Sequence, residues 1–454
     1  MSEQSLRASG VRVARGAFWF LCCGLACWIV RAETVCAQKA EKKAEDPERA
    51  VVGKSLSPKA MIFRRAAPGK DWELVDEKES LYSGYLLLGL PSAQLESANK
   101  AVTMTFLSDL DGTSPFPIIE NAVILREDPK LDLDFVLDRG RVDLVNNKKE
   151  GAAKVRVRVR AAIFDLTLQE PGTRVALETY GRWPRGVRFT KEPGPKDEPT
   201  TSLVILVLKN EIALKHAGVE FPMKAPPGPA LIEWDSVTGM DDAPRRLEKL
   251  PPWAASGQEN TPVAKQKREA LERMRQRVLK KPIGEVIEES LNADNAAERR
   301  LGTFAAGAFD QLELLGKALR ETKYPDVWDN GVLALRHWIG RAPGQDMILY
   351  NALVEKRKYS PVHAETILQL LHSFGDEDLA RPELYEALIR YLNHDNLAVR
   401  GLAYWHLSRL VPAGKELGYN LMDDKDARTK AIEKWKKLIP DGQVPPKPKV
   451  NPEK

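Results

Sequence analysis

The chain changes its spacing of apolar positions once, from a period of two to a period of about 3.6 residues. Between Leu131 and Tyr180, four successive segments alternate apolar and polar residues, as Val155, Val157 and Val159 do with the arginines between them. A period of two places all apolar side chains on one face of a strand. The alternation therefore predicts antiparallel strands that cover a core on one side.

This alternation extends over residues 59–240, which we predict to form an antiparallel all-β domain. Pro171 and Gly172 supply a turn within it, because proline presets one backbone angle and glycine tolerates a positive φ. Lys209 and Asn210 separate two apolar runs, which predicts a hairpin at this position.

Residues 262–440 follow the helical period and predict a C-terminal α-helical domain. Its first helix shows an apolar stripe at Leu271, Met274 and Val278, and Thr261 before it is a suitable N-cap. Three charged or proline-rich stretches predict flexible parts of the chain. They are a spacer at 38–58, a linker at 241–261 and a disordered tail at 441–454.

The amino end resembles an export signal. Three arginines precede an uncharged run from Gly16 to Val30, and Val35 and Ala37 are small residues at the cleavage-determining positions. This predicts a signal peptide over residues 1–37 and a periplasmic, envelope or extracellular protein that meets the membrane only transiently. An uncleaved anchor is the alternative, although a helix over this run would rise only about 22 Å across a hydrocarbon core of roughly 30 Å.

Composition excludes several classes of protein. All four cysteines lie within the predicted signal peptide, so the exported chain would form neither a disulfide nor a cysteine-bound metal site. The formal net charge is only +5, which together with export argues against nucleic acid as a partner. No nucleotide-binding or metal-ligand motif is found, so we expect no cofactor.

Three arginines form a candidate interaction surface. Arg156, Arg158 and Arg160 alternate along one predicted strand and could bind an acidic envelope polymer or a carboxylate-rich protein. The alternative is that they pair across strands with acidic residues, for which Asp132, Asp134 and Asp165 are available.

One short motif suggests an enzyme. Asp109 and Asp111, in the run Asp-Leu-Asp-Gly-Thr, are similar to the first motif of haloacid-dehalogenase-type phosphatases. The resemblance implies a nucleophile and a general acid at one Mg²⁺ site. The alternative is a simple Asp-Gly turn, and the surrounding alternation predicts none of the helical crossovers that this phosphatase fold requires.

Two further resemblances concern architecture. Residues 384–414 resemble a HEAT repeat, with Asp395 in the turn between two helices, Arg400 in the first turn of the second helix and Ala403 as its small packing residue. The resemblance implies an α-solenoid, a helical scaffold of the kind that usually binds other proteins.

The β segment is similar to the FecR domain, an extracytoplasmic all-β module. The similarity covers residues 81–189 and is carried by Gly140, within Arg-Gly-Arg-Val, and by Pro171 and Gly172. The anti-sigma role of FecR regulators is not carried over, because the chain has no cytoplasmic segment of that kind before the apolar run. We therefore predict an exported, non-catalytic scaffold, with the phosphatase and an envelope ligand sensor as alternatives.

Overall fold

The computed structural model describes residues 49–107, 120–194, 197–254 and 261–445. Residues Asp46–Lys454 form one compact unit in which a β region is followed by a helical region. The predicted order of β structure before α structure is confirmed. The predicted signal peptide, most of the tail, and Asp109 and Asp111 lie outside the described residues.

The β region is one large mixed sheet. Its described strands are β1 (Val51–Ser55), β2 (Ile62–Arg65), β3 (Glu73–Leu74), β4 (Ser80–Tyr82), β5 (Leu86–Gly89), β6 (Gln94–Ser97), β7 (Val102–Leu107), β8 (Asn121–Arg126), β9 (Leu133–Asn146), β10 (Ala153–Val159), β11 (Ala162–Leu168), β12 (Arg174–Arg182), β13 (Thr200–Lys209), β14 (Glu211–His216), β15 (Val219–Lys224), β16 (Pro229–Asp235), β17 (Gly239–Met240) and β18 (Arg245–Arg246).

Strand β9 joins two layers of this sheet. Its first half pairs with β8 and β10, and its second half pairs with β7 and β12. The change of layer falls at Gly140, whose φ of +85° suits only a residue without a side chain. A Cβ at this position would also collide with the carbonyl oxygen of Glu120. Phe106 and Phe135, one from each layer, are fully buried in the core that the layers share.

The pairing of β9 with β10 is parallel, so the prediction of a purely antiparallel domain was wrong at this point. Val155 lies opposite Leu133 and Arg158 lies opposite Val136. The physical reason is the change of layer within β9. The chain leaves β9 in the second layer and returns through residues 147–152 to lie beside the first half of β9, in the same direction.

The predicted hairpin at Lys209 and Asn210 was also wrong. Strand β13 pairs with β12 and β16, whereas β14 pairs with β11 and β15 in the other layer. The two apolar runs are therefore consecutive in sequence but contribute to different layers. Asn210, with a φ of +63°, lies at the crossing between them.

The predicted spacer at 38–58 contains a strand. In its described part, β1 pairs with β4 and β6, because Gly53 and Ser55 fit into the sheet as buried residues. The predicted linker at 241–261 also packs on the β region as far as Ala254. Leu250 and Trp253 cover a small apolar cluster on the outer face of the sheet.

The helical region has eleven α-helices within the described residues: α1 (Pro262–Val278), α2 (Ile283–Leu291), α3 (Ala296–Ala308), α4 (Leu312–Ala318), α5 (Pro325–Gly340), α6 (Gln345–Asn351), α7 (Pro361–His372), α8 (Asp376–Leu379), α9 (Pro382–Tyr391), α10 (Leu397–Leu410) and α11 (Lys425–Leu438). The predicted start of α1 is confirmed, since the Thr261 side chain accepts a hydrogen bond from the N–H of Ala264 at 3.1 Å. Leu271, Met274 and Val278 are buried as predicted.

The helices are arranged in neighbouring pairs. Helix α2 packs on α3, α4 on α5, α6 on α7 and α9 on α10. The second members of these pairs also contact one another in the order α3, α5, α7 and α10. Ala403 on α10 is fully buried, as a small packing residue between helices should be.

An arginine contact recurs at the start of three helices. Arg400 donates from Nη1 to the carbonyl oxygen of Asp395 at 2.9 Å, and Arg299 donates in the same way to Asp294 at 2.7 Å. Arg428 repeats this contact ahead of α11, with the same spacing of five residues. In each case the arginine lies in the first turn of a helix, and its guanidinium donates a hydrogen bond to a backbone carbonyl oxygen of the preceding turn. The three turns are therefore built alike.

Candidate binding cleft

Two of the three candidate arginines form cross-strand ion pairs. Arg156 donates to both carboxylate oxygens of Asp165, at 2.6 and 3.0 Å. Arg158 holds Asp134 in the same way, at 2.9 and 2.8 Å. The hydrogen bond that each arginine donates to its aspartate is the main cause of the raised pKa of that arginine. This strand face therefore presents charges that are already paired.

Arg160 has a different role. It lies in the turn between β10 and β11 with a φ of +55°. Its Nε donates to Thr201 Oγ1 at 2.9 Å, and its Nη2 donates to the carbonyl oxygen of Arg341, just after α5, at 2.5 Å. Burial lowers the pKa of Arg160. The structure thus separates it from the paired arginines and uses it to join the β region to the helical region.

Two other predicted positions form a turn. Gly172 has a φ of +76°, and its N–H donates to the carbonyl oxygen of Asn146 at 2.8 Å. Pro171 precedes it between β11 and β12, as the sequence predicts. For the phosphatase motif, the described part of the chain shows only that β7, the strand leading to it, has antiparallel neighbours on both sides.

The interregion network is a cluster of charged side chains between the β and helical regions, consisting of Arg65, Glu120, Arg139, Asp310 and Arg341. Arg139 binds Glu120 at 3.1 Å, and Arg341 contacts the same carboxylate. Asp310 accepts from Arg341 at 2.9 Å and from Arg65 at 2.8 Å. Burial alone would raise the pKa of both acids, but the surrounding arginines outweigh it and lower the pKa. The network therefore holds ionised side chains from both regions together.

The crossing segment, residues 183–191, extends from the end of β12 over the helical region. Its Trp183 ring stacks on His372 with the ring centres 4.2 Å apart, and the indole N–H donates to the carbonyl oxygen of Ile339 at 3.0 Å. Phe189 stacks on Tyr350 at 5.6 Å. Two aromatic side chains thus attach this segment, which makes a turn at Arg185 and Gly186, to helices α5, α6 and α7.

The backbone of the crossing segment also contacts the helices. His372 Nδ1 lies 3.2 Å from the carbonyl oxygen of Val187, which accepts a hydrogen bond from it. Gly186 approaches Gly375 so closely that a Cβ on Gly375 would lie 3.1 Å from the Cα of Gly186. A side chain on Gly375 would require the neighbouring backbone to shift by a few tenths of an ångström, so glycine suits this close approach.

Basic side chains of the crossing segment meet acidic side chains of the helices. Arg188 pairs with Asp378 at 2.9 Å, and Lys191 pairs with Glu365 at 2.6 Å. Burial would raise the pKa of Asp378, but the hydrogen bonds from Arg188 and from the Gly375 backbone lower it. The hydrogen bond to Glu365 is the main cause of a raised pKa in Lys191.

The helix-side cleft is a cavity of about 760 Å³ between residues 188–192, α7 and α9. Its size falls within the range of ligand-binding pockets. Glu192 and Glu383 lie on its rim and form no ion pair with any residue in the described ranges. Its floor is mainly apolar, with Leu370, Phe374, Leu384, Ala387, Leu388 and Tyr391.

A sheet-side cleft of about 1630 Å³ lies on the other side of the crossing segment. Tyr180, Trp183 and Trp253 contribute aromatic rings to it, and Glu233 and Arg185 place charges of both signs at its edge. It is larger and more enclosed than the helix-side cleft, and three basic and five acidic side chains line it.

No group of three or more histidine, cysteine, aspartate or glutamate side chains in the described ranges could hold a metal ion. None of the helices within those ranges combines the length and the apolar character that a membrane crossing requires.

Comparison with family models, with curated proteins and with solved structures finds no match for this chain. Its function must therefore be argued from its own residues.

The sequence reasoning missed the residues that build the helix-side cleft. The available signal was the pair of aromatic residues, Trp183 and Phe189, within a run otherwise rich in proline, glycine and charge. A solvent-exposed loop seldom contains two large aromatic residues, so their presence could have predicted a segment that packs on another part of the molecule.

Proposed function

We propose that this protein is an exported, non-catalytic scaffold that binds a partner protein through the helix-side cleft. The observation that carries this proposal is the cleft itself, which has an apolar floor and a charged rim and lies between two helices and the crossing segment. Clefts of this form accept side chains of a ligand and exclude water from them.

The finer architecture belongs to the same proposal. We assign the helical region to a HEAT-like array, supported by the paired helices and by the arginine contact that recurs at Arg299, Arg400 and Arg428. We assign β9–β12 to an FecR-like module, supported by Gly140 and by the turn at Gly172. Export rests on the predicted signal peptide.

A protein partner agrees better with the structure than an acidic envelope polymer. Binding of an acidic polymer would require free guanidinium groups at Arg156 and Arg158, and both side chains are paired with aspartates. The helix-side cleft instead presents unpaired carboxylates at its rim, which would repel a polyanion.

Thiol protection in the native cell envelope tests this proposal. The predicted mature chain contains no cysteine, so Ala387→Cys introduces a single thiol on the cleft wall. We expect a membrane-impermeant maleimide to modify this thiol at least fivefold more slowly in the envelope than in the purified protein. Val219→Cys, at a residue 54% exposed on β15, is the matched control and should react equally in both. Equal rates for Cys at position 387 in the two preparations would refute the proposed binding surface.

A further inference from the structure

We infer that the helix-side cleft recognises a peptide that carries apolar and basic side chains, and that the crossing segment is an internal example of such a ligand. This inference rests on the proposed function, because it specifies the chemistry of the partner at the same cleft.

The crossing segment shows how these helices bind a non-helical piece of chain. It contributes two aromatic side chains, Trp183 and Phe189, and two basic ones, Arg188 and Lys191. The aromatic rings stack on His372 and Tyr350, and the basic groups pair with carboxylates of the helical region. Contacts of this kind are those by which helical grooves bind peptides.

The surface that receives this segment continues beyond it. Phe189 and Lys191 line the helix-side cleft, which places the cleft directly beside the end of the crossing segment. Leu384 and Leu388 on α9 extend the apolar floor in the cleft. A second peptide lying there would meet apolar and acidic side chains of the same kinds that the crossing segment meets.

The charge of the rim selects the sign of the partner. Asp378 and Glu365 are already paired with the crossing segment, whereas Glu383 and Glu192 form no ion pair with any described residue. Arg381 lies two residues before Glu383 and is the basic cleft residue nearest to it in sequence. Its Nη2 lies 4.0 Å from a carboxylate oxygen of Glu377, which is a long distance for an ion pair. The two unpaired carboxylates favour a partner that brings a lysine or an arginine.

Fluorescence anisotropy with defined peptides tests the inference on the full chain. The probe is a labelled peptide with the sequence Trp-Pro-Arg-Gly-Val-Arg-Phe-Thr-Lys, which copies residues 183–191. Its counterpart carries glutamate at the three basic positions. We expect the basic probe to bind at least tenfold more tightly than the acidic counterpart, and we expect Glu383→Lys to weaken it at least tenfold.

Glu220→Lys is the matched control, because Glu220 is exposed on β15 and the substitution changes the net charge equally. It should leave the affinity within twofold of the parent. Glu383 also lies in the first turn of α9, so Glu383→Gln serves as a second variant that removes the charge with less effect on the helix. It should weaken the probe about threefold.

The inference is overturned if both peptides bind equally, if neither binds, or if Glu383→Lys and Glu220→Lys change the affinity to the same extent. These results are distinct from failure of the proposed function, because a protected thiol at position 387 would still show that a partner of other chemistry occupies the cleft.

Discussion

The β region and the helical region use their charged side chains differently. In the β region, Arg156 and Arg158 are neutralised by aspartates on adjacent strands. In the helical region, Arg400 donates to backbone carbonyl groups of turns, and Arg299 does the same while it also pairs with Asp326. Glu383 is exposed and forms no ion pair with any described residue. We therefore expect the binding surface on the helical side, although the alternating arginines in the sequence predicted it on the strand face.

The two regions also differ in how a local change should spread. Stacked helix pairs depend mainly on their neighbours, whereas the strands of one sheet share a single core. Substitutions in the helical region, at the junction of the two regions and at single contacts within the helices test this difference.

The largest effect is expected from Ala403→Arg. Ala403 is fully buried on α10, so the variant must place an unpaired charge between packed helices. We expect a loss of more than about 4 kcal/mol in the free energy of unfolding, and Lys415→Ala, at an exposed position, should cost less than about 0.5 kcal/mol. Hydrogen exchange should accelerate in α7 and α9–α11 but not in β9–β12. Acceleration throughout the molecule would contradict an array of locally coupled helices.

The next largest effect is expected at the junction. Arg139→Met removes a buried guanidinium that binds Glu120 and also donates to the carbonyl oxygen of Ala308 at 3.0 Å. Breaking a buried pair typically costs about 3–5 kcal/mol, and the loss should lie at the lower end because Glu120 keeps its contact with Arg341. Arg156→Met is the control, because its pair with Asp165 is part-exposed and should contribute less than about 1 kcal/mol. Equal losses for the two variants, measured by urea denaturation, would mean that the interregion network is not a specific link.

A smaller effect is expected at the recurring turn. Arg400→Ala removes the hydrogen bond to Asp395 and another from Nε to the carbonyl oxygen of Leu421 at 2.7 Å. Hydrogen bonds from charged groups contribute about 1.5–3 kcal/mol, which sets the expected loss. Arg390→Ala, at an exposed residue of α9, should be nearly silent by the same thermal or chemical denaturation. A silent Arg400→Ala would remove the main support for a HEAT-like repeat.

The pH dependence of stability should report on a buried histidine. Burial lowers the pKa of His406 from 6.5 to about 3, although its bond to the carbonyl oxygen of Leu370 acts in the opposite direction. Because the folded-state pKa lies below the unfolded value, its contribution to stability is complete above pH 6.5 and is lost as the pH falls. At about 1.4 kcal/mol per pH unit, this loss is about 2 kcal/mol at pH 5. His406→Gln should reduce the stability difference between pH 7 and pH 5 by that amount, and an unchanged difference would contradict the burial of a neutral imidazole.

The sequence predicted the elements better than their partners. The burial of Leu271, Met274 and Val278 follows from a helical period that depends only on neighbouring residues. The parallel pairing of β10 with β9 cannot be predicted in this way, because it results from the change of layer at Gly140 within β9. Alternation reports which residues face a core, but it does not report which strand lies alongside.

The helix-side cleft could not be predicted from the sequence for a similar reason. Its geometry depends on contacts such as that between Trp183 and Ile339, which are 156 residues apart in the chain. The recurring turn, in contrast, could have been found. The pattern Leu-Asn-x-Asp-Asn-x-Ala-x-Arg-x-Leu occurs at residues 291–301 and again at 392–402, with Arg299 and Arg400 in equivalent places.

The most direct test of a binding surface on the helical side places a photo-crosslinking amino acid at one position in each region of the protein. Thr366 lines the helix-side cleft, and Thr167 lies on β11 next to the strand face with the paired arginines. We expect a discrete crosslinked product from position 366 that disappears when Ala387→Arg fills the cleft, and none from position 167. A product from position 167 alone, or one from position 366 that survives Ala387→Arg, would contradict the account.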